Sequence, residues 1–261
     1  MPVALALSPH LDDAAFSCGG TLATLSDRGW HVVIATTFTA SVPDPKGFAL
    51  ACQLDKGLGP EIDYMALRRE EDARAAAILG AEAQWLPFPE APHRGYDAAP
   101  ALFGPLRVGD SIGDELDSAL TELVARLAPD VILAPQAVGA HVDHVAVVRS
   151  LRQIKLAAPI LWWRDYPYSV RTVKPLEPFA DLFLGFPELI VPLDPDALSR
   201  RCEAALAYTS QLGFQFGGAQ RAASELRMHG HAEAFRWGVA SADLVGLPFE
   251  GMHLLLGRRQ A

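Results

Sequence analysis

A strand, a helix and a second strand follow one another at the N-terminus, and this order constrains the fold most. Val3–Ser8 is a short apolar segment that ends at Pro9, as a buried strand does. Asp12 and Asp13 then stand where a helix would begin, and that helix would end near Gly29. Residues 31–38 (HVVIATTF) are rich in β-branched residues and predict the next strand. A βαβ unit of this kind predicts a parallel sheet.

The remainder of the chain repeats the alternation of strands and helices. Helices are predicted at 67–79, 114–127, 141–154 and 195–211, and from Gly217 to about residue 237. Strands are predicted at 84–87, 131–134, 160–163, 189–192 and 252–256. Residues 39–64 and 90–113 carry prolines and glycines and predict long loops. Without repeats or a clear linker, we expect a single α/β domain over 1–261, with a mostly parallel sheet flanked by helices.

Composition restricts the partners that this chain can have. Its 261 residues are 50% hydrophobic, enough for one large core, and its formal charge is −9. A negative chain is a poor ligand for nucleic acid, because phosphate attraction dominates that binding. The N-terminus lacks a basic signal-peptide region, and no apolar segment approaches the ~20 residues of a membrane span. We therefore expect a soluble, cytoplasmic protein without a disulfide framework, and a homo-oligomer is left open.

Two segments concentrate side chains that bind metals or transfer protons. They are SPHLDD at 8–13 and HVDH at 141–144, and each follows a predicted strand and precedes a predicted helix. In an open α/β sheet, ligands bind outside the carboxyl ends of the strands, so the two segments could be neighbours. A catalytic zinc needs three nitrogen or oxygen ligands from the protein. Each segment alone also fits a helix start or surface polarity, but their joint occurrence favours a metal site.

These segments resemble the motifs of a known family. SPHLDD followed by SCGG resembles the PHPDDE-type motif of the PIG-L/LmbE-like zinc deacetylases, and HVDH is similar to their HPDH motif. Residues 68–80 fit the family's RxxExxxAxxxLG helix. The likeness covers about the first 160 residues and implies a Rossmann-like fold. Ala14 stands where the family usually has a glutamate, a change that weakens support around the site and leaves the reaction intact.

The resemblance assigns roles to individual residues at the site. It implies three metal ligands, namely His10, Asp13 and His144. Asp12 is then the general base, His141 stabilises the developing oxyanion or protonates the leaving amine, and Asp143 orients His141. We expect Zn²⁺ as the cofactor, with another divalent metal as the alternative.

Two further residues match positions that contact sugars in relatives. Arg68 is expected to bind a polar group of the substrate, and an exposed ion pair with Glu71 is the alternative. Glu90, in the segment FPEAPHR, is expected to accept a hydrogen bond from a substrate hydroxyl, and a solvated loop position is the alternative.

The resemblance implies removal of an N-acetyl group from an amino-sugar conjugate, a small-molecule substrate. Two alternatives stay open at this point. One is an amidase of the same family that cleaves a larger acyl group from a sugar nitrogen. The other is a catalytically inactive sugar-binding homologue, for which Ala14 is the only support in the sequence.

Overall fold

A single seven-stranded sheet forms the centre of the protein. The computed structural model describes residues 1–238, and these contain β1 (Val3–Ser8), β2 (His31–Thr36), β3 (Glu82–Trp85), β4 (Val131–Pro135), β5 (Ile160–Trp163), β6 (Glu188–Pro192) and β7 (Ala232–Gly238). Their order across the sheet is β3-β2-β1-β4-β5-β7-β6. The first five strands in this order are parallel. β7 is antiparallel to both of its neighbours, so the predicted mostly parallel sheet is confirmed.

Helices cover both faces of the sheet. Within residues 1–238 they are α1 (Asp13–Asp27), α2 (Gly47–Leu54), α3 (Tyr64–Leu79), α4 (Ile112–Leu127), α5 (Val142–Gln153), α6 (Tyr168–Arg171), α7 (Ala180–Leu184), α8 (Pro195–Leu206), α9 (Thr209–Phe216) and α10 (Ala219–His229). Helices α1, α3 and α8 pack in the core on one face. Helices α4 and α5 pack in the core on the other face. The described residues thus form one three-layered α/β domain.

Strand alternation explains why two cores form. On β1, Ala4 and Ala6 belong to the core of α1, α3 and α8. Leu5 and Leu7 belong to the opposite core, because successive side chains of a strand point to opposite faces. A strand that is apolar at every position therefore needs a helix layer on each side.

Helix α1 is kinked at Cys18, where φ is −140° and ψ is 17°. The backbone groups freed by the kink have buried charged partners. The Glu233 carboxylate accepts hydrogen bonds from the backbone N–H groups of Gly20 and Thr21, at 2.9 and 2.8 Å. Arg201 donates to the carbonyl oxygen of Phe16 at 2.5 Å, and its Nε lies 3.3 Å from Glu233 Oε1.

Several predicted element boundaries are wrong. Residues 232–238 form strand β7, where a continuous helix was predicted. The predicted loop at 39–64 contains α2, and the predicted helix at 195–211 is divided into α8 and α9. The strand predicted at 252–256 lies outside the described residues.

No helix in residues 1–238 combines the length and apolar character that crossing a membrane requires. The expected cytoplasmic location, the open question of a homo-oligomer and the extension of one domain over all 261 residues stay predictions.

Candidate metal centre

The two motifs meet where the strand order of the sheet reverses. Strands β1 and β4 are parallel neighbours, and the chain proceeds from β1 to β2 and β3 on one side before it returns to β4 on the other. Such a switch point opens a crevice at the carboxyl ends of the strands. The segment after β1 carries His10, Asp12 and Asp13, and α5 after β4 carries His144. The predicted juxtaposition of the motifs is confirmed.

Three side-chain atoms converge at this crevice. Asp13 Oδ2 lies 3.1 Å from His144 Nε2 and 3.3 Å from His10 Nδ1. The two nitrogens lie 3.4 Å apart. Ligands about 2.0–2.1 Å from a tetrahedral metal ion are about 3.3 Å from each other. The triangle therefore has the size and the donor atoms that a divalent metal such as zinc requires.

A third histidine lies at the edge of this triangle. The ligand atoms of His10, His141 and His144 all lie within 4.8 Å of one another. The triangle that includes Asp13 has edges of 3.1 to 3.4 Å, the spacing of tetrahedral ligands, and His141 is the alternative third ligand.

Buried carboxylates fix the orientation of both histidines of the triangle. His10 Nε2 lies 2.9 Å from Asp143 Oδ2, and His144 Nδ1 lies 2.7 Å from Asp165 Oδ1. To bind a metal, each imidazole would donate to its carboxylate through one nitrogen and direct the lone pair of the other at the triangle. Asp165 is held in turn by the backbone N–H groups of Gln136 and Val138, at 3.1 and 2.9 Å.

Sequence reasoning missed Asp165. It belongs to neither of the two motifs. Its position gave a signal, because it follows β5 at the same carboxyl edge of the sheet as both motifs.

The carboxylates make the crevice favourable for positive charge. Burial alone lowers the pKa of His144, but the charges of Asp13 and Asp165 outweigh it and raise this pKa to about 9. Burial likewise opposes a charged His10, yet the hydrogen bonds to Asp13 and Asp143 raise its pKa. The same negative potential attracts a metal cation.

The carboxylate of Asp143 lies closer to His10 than to His141. Its carboxylate accepts from His10 and from the backbone N–H of Ala91, at 3.1 Å, and lies 2.8 Å from Arg94 Nη1. Burial would raise the pKa of Asp143, but the hydrogen bond from His10 and the nearby positive charges lower it. Its nearest approach to the His141 ring is 4.0 Å. The Asp143 carboxylate therefore contacts His10, and the role of Asp143 in orienting His141 stays a prediction.

The backbone of Asp143 contacts His141. The N–H of Asp143 donates to His141 Nδ1 at 3.3 Å. Burial and the neighbouring His10 lower the pKa of His141 to about 3, so the ring is neutral at neutral pH. A neutral imidazole that accepts at Nδ1 carries its proton on Nε2. His141 is thus a hydrogen-bond donor beside the triangle.

Asp12 lies next to the triangle but outside it. Its Oδ1 is 3.4 Å from Arg68 Nη2. Burial raises the pKa of Asp12 to about 7, against the opposing effect of the Arg68 charge. A carboxylate with such a pKa can accept and release a proton near neutral pH.

Arg68 and Glu90 lie in the same cavity as the triangle, as predicted. Arg68 is buried and donates to Glu90 Oε1 at 2.7 Å and to the carbonyl oxygen of Leu11 at 3.0 Å. The alternative of an exposed pair with Glu71 is wrong, because Glu71 is fully buried and accepts from Thr209, 138 positions away. The role of Arg68 and Glu90 as substrate contacts stays a prediction.

A cavity of about 190 Å³ opens above the triangle. Its floor is charged, and its walls are largely aromatic, with Phe48, Tyr64, Phe103, Tyr168 and Phe214. Gln211 and Phe214 come from α9, whose first turn is held by hydrogen bonds from Thr209 and Ser210 to Glu71.

This fold and this site together are those of an α/β-fold enzyme whose side-chain triangle could hold a divalent metal. The model of the PIG-L family, described as GlcNAc-PI de-N-acetylase, matches residues 5–155, and the chain belongs to this family. The resemblance found in the sequence is thereby confirmed.

Individual relatives are deacetylases by name. The chain is 34% identical over 192 residues to 2'-N-acetylparomamine deacetylase of Streptomyces fradiae, a match that covers 68% of this chain and 66% of the relative. The zinc-inhibited form of teicoplanin deacetylase has a TM-score of 0.75 at 22% identity, covering 92% of this chain and 99% of that chain. The A40926 pseudoaglycone deacetylase has a TM-score of 0.73 at 25% identity, covering 92% and 98%. The architecture of the described residues is that of these structures.

Proposed function

We propose that this chain is a metal-dependent hydrolase that removes an N-acetyl group from a molecule containing an amino sugar. The observation that carries the proposal is the triangle of His10 Nδ1, Asp13 Oδ2 and His144 Nε2, with edges of 3.1 to 3.4 Å. These three residues would hold the metal, for which we propose Zn²⁺. Family membership and the name of the Streptomyces fradiae relative support the reaction and the substrate class.

The reaction forms a C–O bond to water and breaks the C–N bond of the amide. A divalent metal bound at the triangle supplies Lewis-acid assistance to the water and to the acyl carbonyl. Asp12 accepts one proton from the attacking water, because its carboxylate is buried beside the triangle and its pKa is raised to about 7. The same proton then passes to the leaving nitrogen, so that the free amine and acetic acid are released, and the acid ionises to acetate by losing its remaining proton to solvent.

His141 donates a hydrogen bond to the acyl oxygen as negative charge develops on that oxygen. Its proton is on Nε2, because Nδ1 accepts the backbone N–H of Asp143. A hydrogen bond from a neutral donor to a developing oxyanion lowers the barrier without any proton transfer.

Glu90 is proposed to bind the sugar. Arg68 occupies one oxygen of the Glu90 carboxylate, and the other oxygen has no hydrogen-bond partner among residues 1–238. That oxygen can accept from a sugar hydroxyl or an amine. We propose that Arg68 acts on the substrate only indirectly, by holding Glu90. Its guanidinium already contacts Asp12, Glu90 and the carbonyl oxygen of Leu11.

The test is a panel of N-acetylated amino-sugar conjugates assayed for acetate and for free amine. At least one conjugate should release both in equal amounts, a chelator should abolish the release, and added Zn²⁺ should restore it. The same conjugates with a longer N-acyl chain separate a deacetylase from an amidase for larger groups. No release from any conjugate by protein loaded with metal would contradict the proposal.

A further inference from the structure

Tyr168 lies against the candidate metal centre without a role in the chemistry described so far. It is the first residue of α6 and lines the cavity together with Asp12 and Asp13. Its ring packs edge-on against His144, with ring centroids 5.6 Å apart. The ring centroid of Phe103 lies 6.1 Å away on the cavity wall.

The loop before α5 makes room for this ring. Gly139 has a φ of +95°, and a Cβ atom at this position would lie 2.9 Å from Cβ, Cγ and Cδ1 of Tyr168. Any side chain at 139 would therefore displace the tyrosine ring. The backbone N–H of Gly139 donates to the carbonyl oxygen of Leu176 at 2.7 Å, which fixes the loop beside the ring.

The hydroxyl of Tyr168 has no hydrogen-bond partner within the described part of the chain. Burial and the negative charge of Asp13 raise the pKa of Tyr168, so the hydroxyl keeps its proton at neutral pH. A hydroxyl on a residue that lines the cavity and has no protein partner can donate to a ligand with an acceptor atom. In this cavity the acceptor that the proposed reaction brings in is the acyl oxygen of the substrate.

We propose that Tyr168 is a further catalytic residue, whose hydroxyl donates a hydrogen bond to the acyl oxygen of the N-acetyl group as that oxygen becomes negatively charged. Tyr168 and His141 then provide two donors from different elements, α6 and the residue before α5. Two donors aimed at one developing oxyanion form an oxyanion hole, in which each donor contributes to the rate. This inference rests on the proposed function.

The first arm of the test compares two tyrosines that lie two residues apart. Tyr168→Phe removes only the hydroxyl and should lower kcat by about 10²-fold, with KM changed less than about threefold. Tyr166→Phe is the matched control, because the Tyr166 hydroxyl is also without a partner but does not line the cavity. The control should keep the wild-type kcat, and both variants should keep the wild-type metal content.

The second arm measures binding without turnover. A phosphonate that mimics the tetrahedral state of the acetyl carbon should bind Tyr168→Phe about 10²-fold more weakly than wild type, whereas the amine product should bind both equally. Equal kcat in wild type and Tyr168→Phe would overturn the proposal, and so would a rise in KM with unchanged kcat. Acetate release by the wild type sets the baseline, so either result overturns the role of Tyr168 and leaves the proposed function standing.

Discussion

Asp12 and Asp13 are adjacent in the chain, yet their carboxylates have different partners. Asp13 Oδ2 accepts from the backbone N–H of His10 at 2.8 Å and faces both histidines of the triangle. Asp12 faces Arg68. The two side chains diverge because α1 begins between them, with Asp12 as the residue before the helix and Asp13 as its first residue. A single turn thereby separates the proposed metal ligand from the proposed proton acceptor.

This divergence gives a prediction that separates the two carboxylates. Asp12→Asn should keep the metal, because all three proposed ligands remain, and should lower kcat by about 10²–10⁴-fold. Asp13→Asn should instead weaken metal binding. Elemental analysis and acetate release, measured on both variants in parallel, check this. Near-normal turnover in Asp12→Asn, or loss of metal from Asp12→Asn alone, would show that the assignment is wrong.

At the residue scale, the sequence predicted the centre of the site better than its surroundings. The position of each motif between a strand and a helix predicted that the two motifs could share one crevice, because strand ends and helix starts are local features, and the resemblance assigned His10, Asp13 and His144 to it. Asp165 was missed because its contact with His144 joins two strand ends through the tertiary fold. The partners of Arg68 were missed for the same reason, since helical spacing pointed to Glu71.

At the scale of elements, the kinked α1 depends on two distant residues. The kink leaves backbone groups of a buried helix without partners inside the helix, and such groups need other partners. Glu233 on β7 and Arg201 on α8 provide them. The helix that begins with Asp13 is therefore tied to a strand and a helix from the far end of the described chain.

Glu233→Ala tests this dependence. The substitution should lower the free energy of unfolding by about 3–5 kcal/mol, because Arg201 is left as a buried charge without its carboxylate. Glu225→Ala is the control, since the exposed pair of Glu225 with Arg221 should contribute less than about 0.5 kcal/mol. Equilibrium unfolding in urea measures both. A loss under about 1 kcal/mol in Glu233→Ala would contradict the inference.

The element boundaries that the sequence predicted wrongly share a physical cause. Residues 232–237 (AEAFRW) contain good helix formers, but pairing with β5 and β6 on both sides holds them as a strand. Conversely, α2 was not predicted, because the prolines and glycines that flank it indicated a long loop. Local propensity predicts an element only where tertiary contacts do not override it.

For the whole molecule, the candidate metal centre couples binding to stability. A metal that binds only the folded chain, at 100 times its Kd, adds about 2.7 kcal/mol to the free energy of unfolding. For a chain of this length this should raise Tm by about 5–11 °C.

Thermal unfolding with and without Zn²⁺ checks the predicted rise in Tm. It also distinguishes Asp13 from His141 as the third ligand beside His10 and His144. His144→Ala and Asp13→Asn should each lose most of the increase in Tm. His141→Ala should keep it, because His141 lies outside the triangle. Loss of the increase in His141→Ala together with its retention in Asp13→Asn would assign the third ligand to His141.

The place of β7 has a consequence for how the chain is made on the ribosome. Among residues 1–238, strand β6 reaches the sheet only through β7, and the carboxylate that completes the kink of α1 is on β7. Synthesis proceeds at about 5–20 residues per second, so roughly 200 residues and about 10–40 s separate the end of α1 from Glu233. During that interval the nascent chain can pair its first five strands, while β5 keeps an open edge and the kink lacks Glu233. We therefore expect nascent chains that end before β7 to bind chaperones and to be cleaved by proteases within α1.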